Sequence, residues 1–214
     1  IEKTIQTLKS GIWASGNGSG QVYEFETKFK QFTNSKACIA VNSGTAALNI
    51  AISLLDVKGK EVIIPSLSFI STANCVLMNG GKPVFVDVNP DTLCIEPKTI
   101  VKSITKKTKA VIPVHFGGMP CNIEKILELS SKYGIKVIED AAQSAGSKYL
   151  DISSGAWGDV GCFSAHPLKN LNACGDAGFI TTDDSDIADS VRLMANHGLK
   201  DRDTVEVFGL VSRM

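Results

Sequence analysis

Short β-branched apolar runs alternate along the chain with stretches whose apolar residues recur at helical spacing. The run 37–41 (Ala-Cys-Ile-Ala-Val) reads as a buried strand. Residues 43–55 then place Ala47, Leu48, Ile50, Ala51 and Leu54 on one helical face. A second strand is expected over 61–64 and stops at Pro65. A helix over 69–78 follows and ends at Asn79, Gly80 and Gly81. The same alternation predicts strands over 83–87, 109–114 and 135–139, with helices over 96–104 and 122–133, the latter stopped by Gly134. Strands over 161–164 and 179–182 and a helix over 184–196 complete the pattern.

Strand followed by helix, repeated, implies parallel strands joined by right-handed crossovers. The strands are continuous apolar runs rather than alternating ones, as expected when both sheet faces are covered. The expected fold class is therefore α/β, a mostly parallel seven-stranded sheet with helices on both faces. Such sheets bind ligands beyond the carboxyl ends of their strands, so the residues that follow each strand carry the functional question.

After the first strand come Asn42, Ser43, Gly44 and Thr45. Ser43 and Thr45 can cap the helix, and Gly44 allows close approach of a ligand. A helix start with free N–H groups is an anion site, typically for phosphate; the plainer reading is an ordinary N-cap. The run is neither a Walker A loop nor a GxGxxG fingerprint. The glycine-rich stretch 16–20 follows no strand and reads as a flexible loop. Asp140 follows the strand at 135–139. A carboxylate inside an apolar sheet edge needs a cationic partner, such as a protonated ring nitrogen; it can equally serve as a turn cap. Beyond 161–164, Lys169 lies between Pro167 and a glycine-bearing loop. A lysine on a short constrained loop is a candidate nucleophile toward an aldehyde, against the plainer alternative of a surface lysine. Ser164 offers a hydroxyl nearby. One ligand uses a phosphate site, a carboxylate for a basic ring nitrogen and an amine for an aldehyde, in this order: pyridoxal 5′-phosphate (PLP).

Composition narrows the alternatives. The 214 residues include 22 Lys+Arg and 22 Asp+Glu, so the formal net charge is zero. That removes the main sequence signal for a nucleic-acid or acidic-membrane binder. With 43% hydrophobic and 21% charged residues the chain is neither disordered nor a coiled coil. The six cysteines form no CxxC pair and read as reduced thiols in a cytoplasmic protein. Three dispersed histidines give no zinc site, so no metal is expected. No apolar run reaches the roughly 18 residues of a membrane helix, and no signal peptide is visible. His115 follows a strand and is either ligand-facing or structural. Trp13 is expected either to pack or to wall the substrate site, and Cys174 carries no mark of a nucleophile.

The chain resembles the DegT/DnrJ/StrS sugar aminotransferases, PLP enzymes of fold type I. The resemblance rests on Trp13 with Gly16, Phe25 and Glu26, the run 41–48 (Val-Asn-Ser-Gly-Thr-Ala-Ala-Leu), and the run 65–74 (Pro-Ser-Leu-Ser-Phe-Ile-Ser-Thr-Ala-Asn). Further matches are 139–146 (Glu-Asp-Ala-Ala-Gln-Ser-Ala-Gly), Gly158 with Asp159, Phe163 with Ser164, 166–171 (His-Pro-Leu-Lys-Asn-Leu) and 175–178 (Gly-Asp-Ala-Gly). The runs 196–198 and 212–214 also match. The resemblance implies the large PLP-binding domain over 1–214, incomplete, with a helical segment over about 1–35 and a C-terminal small domain missing. It implies that Lys169 bonds to the cofactor aldehyde and later moves a proton. It likewise implies that Asp140 pairs with the pyridinium nitrogen, that Gln143 reaches the ring hydroxyl, and that Phe69 stacks on the ring. Gly44, Thr45 and Ser164 would hold the phosphate.

The implied reaction moves an amino group from a donor, usually glutamate, to a keto sugar on a nucleotide carrier, in a homodimer with shared active sites. Such reactions serve amino-sugar, cell-surface polysaccharide or antibiotic sugar biosynthesis. Leu210 and Val211 depart from the family's usual aromatic and amide in a segment near the partner's site. Two alternatives remain. A sugar dehydratase of the same fold carries His in place of the lysine, whereas Lys169 is present here. The other is a non-catalytic regulator or scaffold on this fold, for which the neutral charge and the lack of a helix-turn-helix count against DNA binding.

Overall fold

Each of the central apolar runs is buried on both sides because one sheet separates two hydrophobic cores. A computed structural model describes residues 1–14 and 19–214. The strands are β1 (Ala37–Val41), β2 (Glu61–Pro65), β3 (Lys82–Val86), β4 (Thr108–Val111), β5 (Lys136–Asp140), β6 (Lys148–Tyr149), β7 (Ile152–Ser153), β8 (Val160–Ser164) and β9 (Gly178–Thr182). The helices are α1 (Glu2–Ser10), α2 (Gly20–Thr33), α3 (Gly44–Ser53), α4 (Ile70–Met78), α5 (Pro97–Ser103), α6 (Ile123–Tyr133) and α7 (Ser185–Ala195). All seven expected strands and five expected helices are present, with no end shifted by more than three residues.

Seven strands form one sheet in the order β1-β9-β8-β5-β4-β2-β3. The block from β8 through β5, β4 and β2 to β3 is parallel. β9 runs antiparallel to both β1 and β8. No helix separates β8 from β9, so the chain returns without a crossover and the direction reverses.

Alternation along each strand assigns the faces. Ile39, Val62, Ile64, Ala110, Ile112, Ile138 and Ile180 join one core with residues of α3, α4 and α7. Ile63, Val111 and Val137 join a second core with α5 and α6. Phe163 and Phe179 stack with ring centroids 4.9 Å apart and meet Phe29 of α2 edge-on, at 5.1 and 4.3 Å. Ile138 and Val137 thus fix the faces of the next two residues of β5. Asp140 lies on the α3–α4 side and Glu139 on the other.

Several expectations change. Gly20 opens α2 rather than closing a loop, and Gly16 lies outside the described residues. Trp13 is two-thirds exposed, its indole N–H donating to the Leu8 carbonyl at 3.2 Å, so it does not pack in a core. The hairpin of β6 and β7 turns through Leu150 and Asp151, both at positive φ (45° and 63°). This is a primed-turn geometry without its usual glycine. All six cysteines are free thiols, and Cys174 alone is exposed among them.

Candidate active site

The ends of β1, β5 and β8 and the start of β9 meet along one edge of the sheet, because Val41 pairs with Gly178 and Gly178 with Ser164. α3 starts on this edge. Ser43 is its N-cap, and the Ser43 hydroxyl accepts from the Ala46 N–H at 3.1 Å. The amides of Gly44 and Thr45 are left without an intrahelical partner, as in any first helical turn. Thr45 itself is exposed at the second helical residue. Gly44 lies hard against Ser164: a Cβ at Gly44 would stand 2.7 Å from the Ser164 Cβ and 3.3 Å from the Phe163 carbonyl oxygen. Only glycine permits that approach, so the first turn of α3 packs directly on Ser164, whose hydroxyl accepts from the His166 N–H at 3.3 Å. Gly44→Ala is expected to destabilise the fold by about 1–3 kcal/mol through overpacking; unchanged thermal unfolding would show that the turn yields freely.

Asp140 ends β5 and is only 4% exposed. Its Oδ2 accepts from the Thr72 hydroxyl at 2.9 Å and its Oδ1 from the Ala142 N–H at 3.2 Å. No cation is bonded to it among the described residues. Burial pushes its carboxyl above the usual carboxylate range, and the Thr72 hydroxyl, the Ala142 N–H and the nearby Lys169 charge pull against burial without offsetting it. Lys169 sits on the loop after β8, half-buried, its backbone N–H bonded to the His166 carbonyl at 2.8 Å. Its neighbour Asn170 ties that loop across to the Ala145 carbonyl at 2.6 Å. Burial, seconded by the Asp140 charge, pushes the Cys75 thiol up to about 11, which leaves it an inert neighbour of the carboxylate.

Gln143 follows β5, and its Oε1 accepts from the Gly117 N–H at 2.7 Å. The amide nitrogen is the part of its side chain free to meet a hydroxyl oxygen. Phe69 caps the start of α4 and is 67% exposed, one turn before Thr72. The structure therefore gathers Gly44, Thr45 and Ser164 in one cluster and links Asp140 with Lys169 by charge. Gln143 and Phe69 stand on the segments beside Asp140.

His115 is fully buried. Its Nδ1 accepts from the Cys121 N–H at 3.0 Å, so the ring proton sits on Nε2 and is donated to Glu139 Oε2 at 2.8 Å. His115 is therefore structural rather than ligand-facing. Glu139, also fully buried, further accepts from the N–H groups of Gly155, Trp157 and Gly158 at 2.9, 2.8 and 2.7 Å. Burial pushes its carboxyl up, but the His115 contact and the Gly158 and Gly155 N–H groups outweigh that and hold it below the usual range. Glu26 likewise accepts from the Ala40 N–H at 2.8 Å and Arg192 Nη2 at 3.0 Å, joining α2 to β1 and α7. Asp159 receives the Val137 N–H at 2.9 Å and the Lys136 ammonium at 2.6 Å. Glu26, Glu139 and Asp159, read in the sequence only as matching residues, thus hold the scaffold. Near the end of the chain, Leu210 packs on the α3 core while Val211 is exposed. The Val211 carbonyl accepts from Asn42 Nδ2 at 3.2 Å, and Arg213 bridges to Val41, so this run docks beside the α3 start.

A mostly parallel seven-stranded α/β sheet, with a capped helix turn, a buried carboxylate and a lysine at one strand-end edge, is the fold of the PLP-type aminotransferases. The chain matches the DegT/DnrJ/EryC1/StrS aminotransferase family over residues 1–214 and belongs to it. It is 40% identical over 200 residues to the spore coat polysaccharide biosynthesis protein SpsC of Bacillus subtilis, covering 93% of this chain and 50% of that protein. Among solved structures, Streptomyces venezuelae DesV in complex with a ketimine intermediate superposes with a TM-score of 0.94 at 33% identity. That match covers 100% of this chain and 57% of DesV. Bacillus subtilis NtdA with bound cofactor PMP superposes with a TM-score of 0.91 at 34% identity, covering 100% of this chain and 48% of NtdA. The chain thus spans about half the length of these relatives. No described helix is long and apolar enough to cross a membrane, and among the described residues no cluster of three or more His, Cys, Asp or Glu is placed to hold a metal ion.

Proposed function

We propose that the chain is the PLP-binding large-domain portion of a sugar aminotransferase. It would take an amino group from glutamate or a similar donor and give it to a keto sugar on a nucleotide carrier, as a cytoplasmic homodimer with shared sites. The observation that carries this reading is Asp140. A buried carboxylate without a bonded cation is costly, and a protonated ring nitrogen removes that cost with a charge-assisted hydrogen bond.

The other residues fit the same group. The Gly44 and Thr45 amides and the Ser164 hydroxyl suit its phosphate, and the α3 start adds a favourable dipole. The Gln143 amide nitrogen suits the ring hydroxyl, and Phe69 offers an exposed aromatic face to the ring. When bound, PLP supplies an aldehyde and an electron-accepting ring. Asp140 keeps the proton on the ring nitrogen, and Lys169 Nζ is both the covalent anchor and the group that carries the proton between substrate and cofactor carbons.

The test is a visible spectrum of the full-length protein with added PLP, before and after borohydride reduction, followed by peptide mapping. A visible band that borohydride traps on Lys169 is the expected result. Absence of the band, or a label on another lysine, overturns the reading.

A further inference from the structure

Thr72 lies on the first turn of α4, is fully buried and makes two polar contacts with its one hydroxyl. Its Oγ1 stands 2.9 Å from Asp140 Oδ2 and 2.7 Å from Ser68 Oγ. A hydroxyl has one proton. While Asp140 is ionised it can only accept, so Thr72 donates to Asp140 and accepts from Ser68. The two hydroxyls are therefore ordered in one direction, Ser68 to Thr72 to Asp140, by the charge at the end. The Ala142 N–H is the other donor to the carboxylate, and it comes from Asp140's own loop. Thr72 is the side chain that holds Asp140 from a separate element.

We infer that Thr72, oriented by Ser68, is a positioning residue that fixes the Asp140 carboxylate where the cofactor ring nitrogen meets it. The inference rests on the PLP reading above. The Thr72 hydroxyl does not touch the cofactor in this assignment and acts through Asp140. It also works against burial, which favours the protonated acid.

The experiment compares the full-length wild type with Thr72→Val, Thr72→Ser and Asp140→Asn. Each is titrated with PLP and with a PLP analogue whose ring nitrogen is replaced by carbon. Thr72→Val keeps the shape of the side chain and removes the hydroxyl, and loss of a hydrogen bond to a charged group is expected to weaken PLP binding about ten- to a hundredfold. Thr72→Ser, which keeps the hydroxyl, is expected to bind PLP within about threefold of wild type. With the carbon analogue the Thr72→Val defect is expected to vanish, because nothing remains for Asp140 to hold. An equal loss for PLP and the analogue means that Thr72 merely supports the fold, and overturns the inference. Wild-type affinity in Thr72→Val beside a defect in Asp140→Asn overturns the inference and leaves the PLP reading standing. A wild-type protein that binds no PLP overturns both.

Discussion

Lys169→Ala is expected to leave a protein that folds like the wild type and no longer transfers an amino group. The Lys169 side chain is half-buried and makes no ion pair among the described residues. Its loop is held instead by its own backbone N–H on His166 and by Asn170 on Ala145. Removing the ammonium therefore breaks no structural bond, and the melting temperature without cofactor is expected to move by less than the equivalent of about 0.5 kcal/mol. Function is another matter. A positioned general base contributes typically 10²–10⁴-fold, and under the proposed function Lys169 would be both that base and the covalent anchor. With glutamate tried as the amino donor and PLP added to the full-length protein, Lys169→Ala is expected to be slower by at least about 10²-fold. Turnover equal to wild type would remove Lys169 from its assigned role, whatever the fold.

The legible part of this protein was its sheet. Ile63, Val111 and Val137 sit in runs too short and too apolar to be anything but covered strands, and local pattern alone located them. The reversal at β9 was not legible, because direction depends on the connection and the loop 165–177 carries no helical period to betray a crossover. The hairpin at 148–153 was missed for a similar reason: Leu150 and Asp151 adopt positive φ without a glycine to announce it. In the site, Gly44, Asp140 and Lys169 were weak signals singly and persuasive only in their order along the chain. Thr72 carried no sign of its contact with Asp140, since 68 residues separate them. The Glu139 network was invisible because three of its four donors are backbone amides, and any residue type supplies those.

Glu139 and Asp140 are adjacent buried carboxylates, and their replacement by amides is expected to move stability in opposite directions. Glu139 accepts on both oxygens, two donors on each. In Glu139→Gln one oxygen becomes an NH2 group that faces donors. Breaking a buried charged network in this way costs about 3–5 kcal/mol, and 3 kcal/mol corresponds to a melting temperature lower by roughly 6–12 °C at this chain length. The sign of the pH dependence follows from the depressed carboxyl. Its contribution is fully present above the ordinary glutamate range and is lost as pH falls through the lower folded value. The deficit of Glu139→Gln is therefore expected to be full at pH 7 and to shrink in acid below the glutamate range. A deficit independent of pH would mean that the charge of Glu139 is not what the four donors stabilise.

Asp140 has the reverse sign, because burial raises its carboxyl. The contribution of such a group is present below the unfolded value and is lost as pH rises through the folded one. At neutral pH, above the ordinary aspartate range, Asp140 is thus a net cost to the protein without cofactor. Asp140→Asn is expected to melt higher than wild type without PLP and to gain less from added PLP. The two residues are one position apart on β5 and face opposite sides of the sheet. One is satisfied by the fold itself, and the other is left for a cation that the fold does not supply. A lower melting temperature for Asp140→Asn without cofactor would mean that Thr72 and Ala142 already satisfy the carboxylate, and would remove the strain on which the cofactor assignment rests.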